Sequence, residues 1–203
     1  MAGTTLKLEF DEATHQYRLN GVVLPSVTQI LEDDGQMVPS YPSGPYRFRG
    51  SQVHKATHLW ETGVDLNAYD IGADILPYVQ SYIGAMQDFQ EDWLLCEHRM
   101  AHLQLCYAGT ADRIGKRPLV ADLKTGKTGR ETGVQLAGYV LLALEDPEIR
   151  KAWGNVRPEQ VERVKFELQK DGSPAVVSRY TDALDFEVFR GLLAKYVWKR
   201  RKG

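Results

Sequence analysis

The segment Gly109-Thr110-Ala111-Asp112-Arg113-Ile114, the turn Gly115-Lys116-Arg117-Pro118 and the run Leu119-Val120-Ala121-Asp122-Leu123-Lys124 decide how this chain is read. Two strand-like runs flank a Gly/Pro turn, which predicts neighbouring antiparallel strands. Side chains alternate along a strand, so Asp122 and Lys124 share one face while Leu123 enters the opposite core. The turn folds Asp112 back beside Asp122. A carboxylate and an ammonium side by side on one strand are not a packing device, because burying either is costly unless it is paired or metal-bound. Two adjacent carboxylates repel each other, and a divalent cation removes the repulsion. Oxygen ligands select hard ions such as Mg²⁺ or Mn²⁺. Lys124 beside such an ion would orient or help deprotonate a water and stabilise charge on a phosphate. This is the chemistry of phosphodiester hydrolysis, although D-x-K alone occurs by chance in many proteins.

The rest of the chain is patterned around that pair. Leu6 to Phe10, Gln16 to Leu19 and Val22 to Leu24 read as short strands, with Asn20-Gly21 the hairpin turn because both residues tolerate positive φ. Ser26 is the expected N-cap of a short helix carrying Val27, Ile30 and Leu31. Residues 35–50, with three prolines and three glycines, read as an irregular loop. Helices are expected over Ser51 to Trp60 and Ala73 to Trp93, and strands over Leu94 to Leu103 and Gln104 to Ile114. An amphipathic helix from Glu131 to Leu144 follows the loop Thr125 to Gly129. Strands from Val161 to Gln169 and Ala175 to Tyr180 precede a last helix that begins after Thr181 or Asp182. This order predicts an α/β (α+β) fold in a single domain spanning residues 1–203. It has a hairpin and short helix in 1–34, and a core in 51–199 with a central mixed β-sheet flanked by helices.

Composition bounds the function. With 203 residues, 43% hydrophobic and 26% charged, the chain excludes a disordered tail, a collagen-like repeat and a membrane protein. The opening MAGTTLKLEFDE lacks a secretory pattern, so a cytoplasmic location is expected. Two cysteines, Cys96 and Cys106, fit a reducing compartment and read as free buried thiols. The 25 Lys+Arg against 27 Asp+Glu give a net charge of −2, with no basic surplus to announce a nucleic-acid partner. Local clusters remain. Arg47, Arg49 and Lys55 interleave with Tyr41, Tyr46 and Phe48, a mixture that holds phosphates and stacks bases. Lys195, Lys199, Arg200, Arg201 and Lys202 form a terminal run suited to DNA or to complementing a helix dipole.

The G-T-A-D-R-I segment, then V-A-D-L-K-T-G, then Gln135-Leu136-Ala137-Gly138-Tyr139 resembles the PD-(D/E)XK nuclease superfamily, in its RecB-like and phage exonuclease branch. Gly50-Ser51-Gln52-Val53-His54 is similar to the branch's G-x-x-x-H helix, Glu97 to its strand glutamate, and Leu24-Pro25-Ser26-Val27-Thr28-Gln29-Ile30-Leu31 to the opening of phage members. The resemblance covers about Leu24 to Lys199. It implies a restriction-endonuclease-like fold and a divalent-metal-dependent DNA exonuclease of bacterial or phage recombination, repair or processing. Asp112, Asp122, the Leu123 carbonyl, His54 and Glu97 would hold one or two Mg²⁺ or Mn²⁺ ions, and Lys124 would activate water. Gln135 and Tyr139 would position the lysine or the substrate, and Tyr139, Arg113, Arg47, Arg49 and Lys55 would contact DNA. Some relatives carry four cysteines for an iron–sulfur cluster; two are too few, so none is expected. The implied partners are DNA, a single-strand annealing or recombination protein and further copies of the chain, with no membrane.

Two other readings are weighed: a catalytically inactive member that binds DNA or protein, and a nucleotide-binding module using Gly126-Lys127-Thr128. The phosphate loop requires G-x-x-x-x-G-K-[ST], whose first glycine would fall on Ala121 inside a strand. Lys124-Thr125-Gly126 has no S-x-x-K companion. His54 and His58 have zinc-protease spacing, but Lys55 replaces the glutamate, so a structural role is expected for His58. His98 and His102 read as surface or core residues.

Overall fold

Five antiparallel ladders and one parallel ladder organise the described residues. The computed structural model describes residues 7–37, 45–66 and 69–201, with the side chains of 45–47 undescribed. Strands β1 (Leu8–Asp11), β2 (Gln16–Leu19) and β3 (Val22–Leu24) form a three-stranded meander. Its turn places Asn20 at φ 49° and Gly21 at φ 83°, the two positive dihedrals that a tight hairpin requires. Helix α1 (Val27–Asp33) then starts at Ser26, whose side chain accepts from the Gln29 amide while Gln29 accepts from the Ser26 amide.

The second sheet has the order β4-β5-β6-β7-β8: Trp93–His102, Tyr107–Gly115, Leu119–Lys124, Glu162–Glu167 and Val176–Arg179. Among the described strands of this sheet β6 and β7 are the parallel pair, and α4 (Glu131–Ala143) with α5 (Pro147–Trp153) makes the crossover that such a pair needs. Helices α2 (Pro45–Glu61) and α3 (Leu76–Phe89) belong to one face, where Val53, Val79 and Tyr82 pack with Leu123 and Phe166. Helices α1, α4 and α6 (Leu184–Arg200) belong to the other, where Ile30, Leu136, Val140 and Phe189 pack with Val120 and Ile114. The expected mixed sheet flanked by helices is therefore observed.

Boundaries differ where Pro was read only as a breaker. Helix α2 begins at Pro45 inside the expected loop, because a helix's first residue has no N–H to lose and proline's φ already suits it. Helix α5 was not expected. Asp146 caps it by accepting from the Glu148 and Ile149 amides, with Pro147 first in the helix. Helix α3 is shorter than expected, ending where Gln90 turns left-handed at φ 49°. Leu6, Tyr41 and Lys202 lie outside the described residues. Cys106 is exposed and Cys96 half-buried, so neither is the fully buried thiol expected; no disulfide joins them.

Candidate metal centre

The site forms where β5 and β6 part. Their ladder pairs Ile114 with Val120 and Arg113 with Ala121, and Asp112 and Asp122 come next on the two strands. Beyond it, β6 stays paired to β7, as Asp122 with Lys165, Leu123 with Phe166 and Lys124 with Glu167. The Asp112 carboxylate closes the fork: its Oδ2 accepts from the Leu123 amide at 2.6 Å. A backbone donor freed by strand separation thus finds a charged acceptor, and the same bond aims the carboxylate.

Helix α2 brings His54 over this fork. Its Nδ1 lies 3.3 Å from Glu97 Oε1 and 3.4 Å from Asp112 Oδ1, and its Nε2 is 3.1 Å from the Leu123 carbonyl, to which it donates. Glu97 reaches in from β4 with φ 50°, a left-handed conformation inside a strand. Such strain persists where surrounding structure enforces it, and here it sets the carboxylate beside His54. Among the described residues, His54, Glu97 and Asp112 offer ligand atoms that all lie within 4.8 Å of one another.

Asp122 stands outside that trio. Its carboxylate faces Lys124, whose Nζ donates to Oδ1 at 3.1 Å, with Oδ2 at 2.9 Å. Gln135 on α4 accepts from the same ammonium at 3.0 Å and donates to Tyr139 Oη at 3.1 Å. The i, i+4 pair reaches the lysine because α4 sits close on β5. A Cβ at Gly109 would come within 2.9 Å of the Tyr139 ring, so glycine there permits the approach.

Charge follows this geometry. Burial would lower the His54 pKa, but Asp112 and Glu97 outweigh it and hold the imidazole well above its usual value. Burial would raise Asp112, yet His54, Lys124 and the Leu123 amide keep it below the carboxylate range. Burial pushes Asp122 up to about 6, with Lys124 opposing and Asp112 assisting. Lys124 is raised: Asp122 and Asp112 overcome its desolvation and keep it an ammonium.

The residues fit a divalent cation. Glu97 Oε1 and Asp122 Oδ2 are buried without a well-formed hydrogen bond, with His54 Nδ1 3.3 Å from the first and the Lys124 ammonium 2.9 Å from the second. Two carboxylates and an imidazole suit Mn²⁺, and the carboxylates suit Mg²⁺. The Leu123 carbonyl, expected as a ligand, accepts from His54 Nε2 at 3.1 Å and keeps a second lone pair. All of this lines a cleft of about 870 Å³.

The expected DNA contacts divide. Arg113 is wholly buried, so it does not reach a nucleic acid. Its guanidinium donates to the Asp112 carbonyl at 2.7 Å, Thr57 Oγ1 at 2.8 Å and Tyr82 Oη at 3.2 Å, and its Nη1 lies 3.5 Å from Glu97 Oε1. Alternation along β5 dictates this: Asp112 faces the cleft, so Arg113 points into the opposite core. Tyr139 is buried in the cleft floor, with its hydroxyl on Gln135. The Arg49 guanidinium sits 5.1 Å over the Tyr78 ring, and Arg49 is not among the cleft-lining residues. Lys55 is exposed and lines the cleft; Arg47 falls in α2, its side chain undescribed.

Three cations of the C-terminal basic run pair with two carboxylates at the end of α1. Lys199 and Arg200 pair with Asp33, and Lys195 with Asp34. The loop of the nucleotide reading is filled as well: Glu131 Oε1 accepts from the Gly129 amide at 2.7 Å, placing a carboxylate where a phosphate would need the helix N-terminus. His98 Nε2 is within hydrogen-bond distance of Asp146 Oδ2 at 3.0 Å, and His58 lines the cleft.

Sequence reading passed over the outer wall of the cleft. Phe10, Glu12, His15 and Tyr17 of the N-terminal sheet line it with Arg99 of β4, and Tyr17 Oη bonds Thr110 Oγ1 at 2.7 Å. The aromatic alternation of Phe10 and Tyr17 around the β1–β2 turn was the available signal; only the docking of the two sheets turns it toward the site. No protein-family model matches the chain, and no curated protein matches it.

Proposed function

We propose that the chain is a divalent-metal-dependent deoxyribonuclease, acting as an exonuclease in bacterial or phage DNA recombination, repair or processing. The observation that supports this best is the convergence of His54, Glu97 and Asp112 beside a Lys124 ammonium held by Asp122 and Gln135. In this reading His54, Glu97 and Asp112 hold the ion, with Asp122 adjoining. A bound Mg²⁺ or Mn²⁺ supplies Lewis-acid polarisation of a phosphodiester and lowers the pKa of a water. Lys124 stays protonated, so it donates to the attacking water or to a phosphoryl oxygen as negative charge grows there. Gln135 fixes that ammonium, and Tyr139 fixes Gln135. Asp112 holds the fork in shape through the Leu123 amide, and its second oxygen, 3.4 Å from His54 Nδ1, would be the one to hold an ion.

The test is a digestion panel on linear, circular, single-stranded and end-labelled DNA with Mg²⁺, Mn²⁺ or EDTA, run on the wild type, Asp122→Asn and Lys127→Ala. Metal-dependent loss of linear DNA, abolished by Asp122→Asn and kept by Lys127→Ala, is expected. Cleavage that survives EDTA, or that depends on Lys127 and not Asp122, overturns the reading.

A further inference from the structure

The metal centre occupies only the floor of the cleft, and the walls above it have a chemistry of their own. On α2, Phe48, Ser51, Gln52 and Lys55 follow helical spacing along one face and line the cleft. Phe48 is 68% exposed, and its large apolar side chain lines the cleft. Across the cleft, the Phe10 ring packs against Tyr17 at 4.6 Å and His15 at 5.0 Å between centroids. The Arg99 guanidinium lies over Phe10 at 4.8 Å; the Arg99 side chain is 47% exposed and lines the cleft. Glu12 tethers Arg99 at 3.4 Å, a contact between exposed groups that contributes little.

Flat, exposed π and guanidinium surfaces on two walls, with an ammonium beside them, match the faces and the phosphates of an unpaired strand. A paired base offers only its edges to a protein, its faces being buried in the stack. A cleft of about 870 Å³ falls in the range of small-ligand sites and has room for a few nucleotides.

Resting on the nuclease reading above, we infer that Phe48 and the Arg99–Phe10 pair form a nucleobase-stacking subsite that takes an unpaired polynucleotide strand alongside the scissile phosphate. Lys55 holds that strand's backbone. The subsite selects unpaired DNA through base faces, so it is tolerant of sequence.

Binding in EDTA separates this subsite from catalysis. Fluorescence anisotropy of labelled oligothymidylate, single-stranded or annealed to oligoadenylate, is measured with wild type, Phe48→Ala, Phe48→Trp and Arg99→Lys. Wild type should prefer the single strand. Phe48→Ala should weaken the single strand about 10-fold, the loss of roughly one stacked base, and leave duplex binding unchanged. Phe48→Trp should bind at least as well as wild type, and Arg99→Lys, which keeps the charge but loses the plane, should weaken the single strand by about 5-fold. Equal affinity of wild type for both forms, or unchanged single-strand affinity in Phe48→Ala, overturns the subsite. If these binding differences appear in a chain that cleaves nothing, the subsite stands and the nuclease reading falls. If wild type cleaves DNA while Phe48→Ala binds as before, the subsite alone falls.

Discussion

Asp112 and Leu123 are joined where their strands cease to pair: one carboxylate oxygen accepts the Leu123 amide at 2.6 Å while the other lies 3.4 Å from His54. One side chain therefore does two jobs, as a ladder substitute and as a ligand. Asn retains an oxygen for the amide but not the charge. Asp112→Asn is expected to abolish Mn²⁺ binding in calorimetry and metal-dependent cleavage, while Asp112→Ala additionally loses about 1–3 kcal/mol of stability from the orphaned amide. Equal stability of the two variants in urea titrations would remove the structural half of this account.

Arg113 is the buried cation beneath the acidic site. Replacing it with Met leaves Glu97 without its nearby guanidinium and removes the donors to the Asp112 carbonyl, Thr57 Oγ1 and Tyr82 Oη. The expected cost is about 3–5 kcal/mol, measured by urea denaturation. Arg113→Lys should recover only part, since an ammonium lacks the fork that spans these partners. A loss below about 1 kcal/mol would show that burial here is uncoupled from charge.

Without metal, stability should carry a pH signature from Asp122. Its pKa is raised by burial from 3.8 to about 6 in the folded chain, so between those values the folded state binds more protons than the unfolded one. Its contribution is complete at low pH and is lost as pH rises through about 6. In EDTA, Asp122→Asn should therefore gain on wild type from about pH 4 to pH 6, in paired thermal melts. Saturating Mn²⁺ should cancel much of that gain by neutralising the carboxylate in wild type. A constant difference across this window would contradict the shift.

The ion pairs on α6 predict where salt dependence resides. Lys199 and Arg200 already share Asp33, whereas Lys55 is exposed in the cleft wall. Lys55→Ala should reduce the slope of log affinity against log salt for single-stranded DNA by about 0.7, one phosphate contact. Lys199→Ala should leave the slope as it was. The opposite pattern would move the DNA path to the C-terminal helix.

The sequence by itself determined the pieces with local causes. Asn20-Gly21 set a hairpin, Ser26 with Gln29 capped a helix, and the turn between Ile114 and Leu119 placed Asp112 next to Asp122. Strand alternation put Asp122 and Lys124 on one face. These are effects of neighbours a few residues apart, and their signals survive without a fold. Only the tertiary structure decided who meets whom across the sheet. It gathered His54, Glu97 and Asp112 from a helix and two strands. It also buried Arg113 under the site instead of offering it to DNA, drew the C-terminal cations onto α1, and raised an aromatic wall from the N-terminal sheet. Each of these depends on contacts between residues tens of positions apart. Their geometry is set by the packing of whole elements, for which local pattern carries no record.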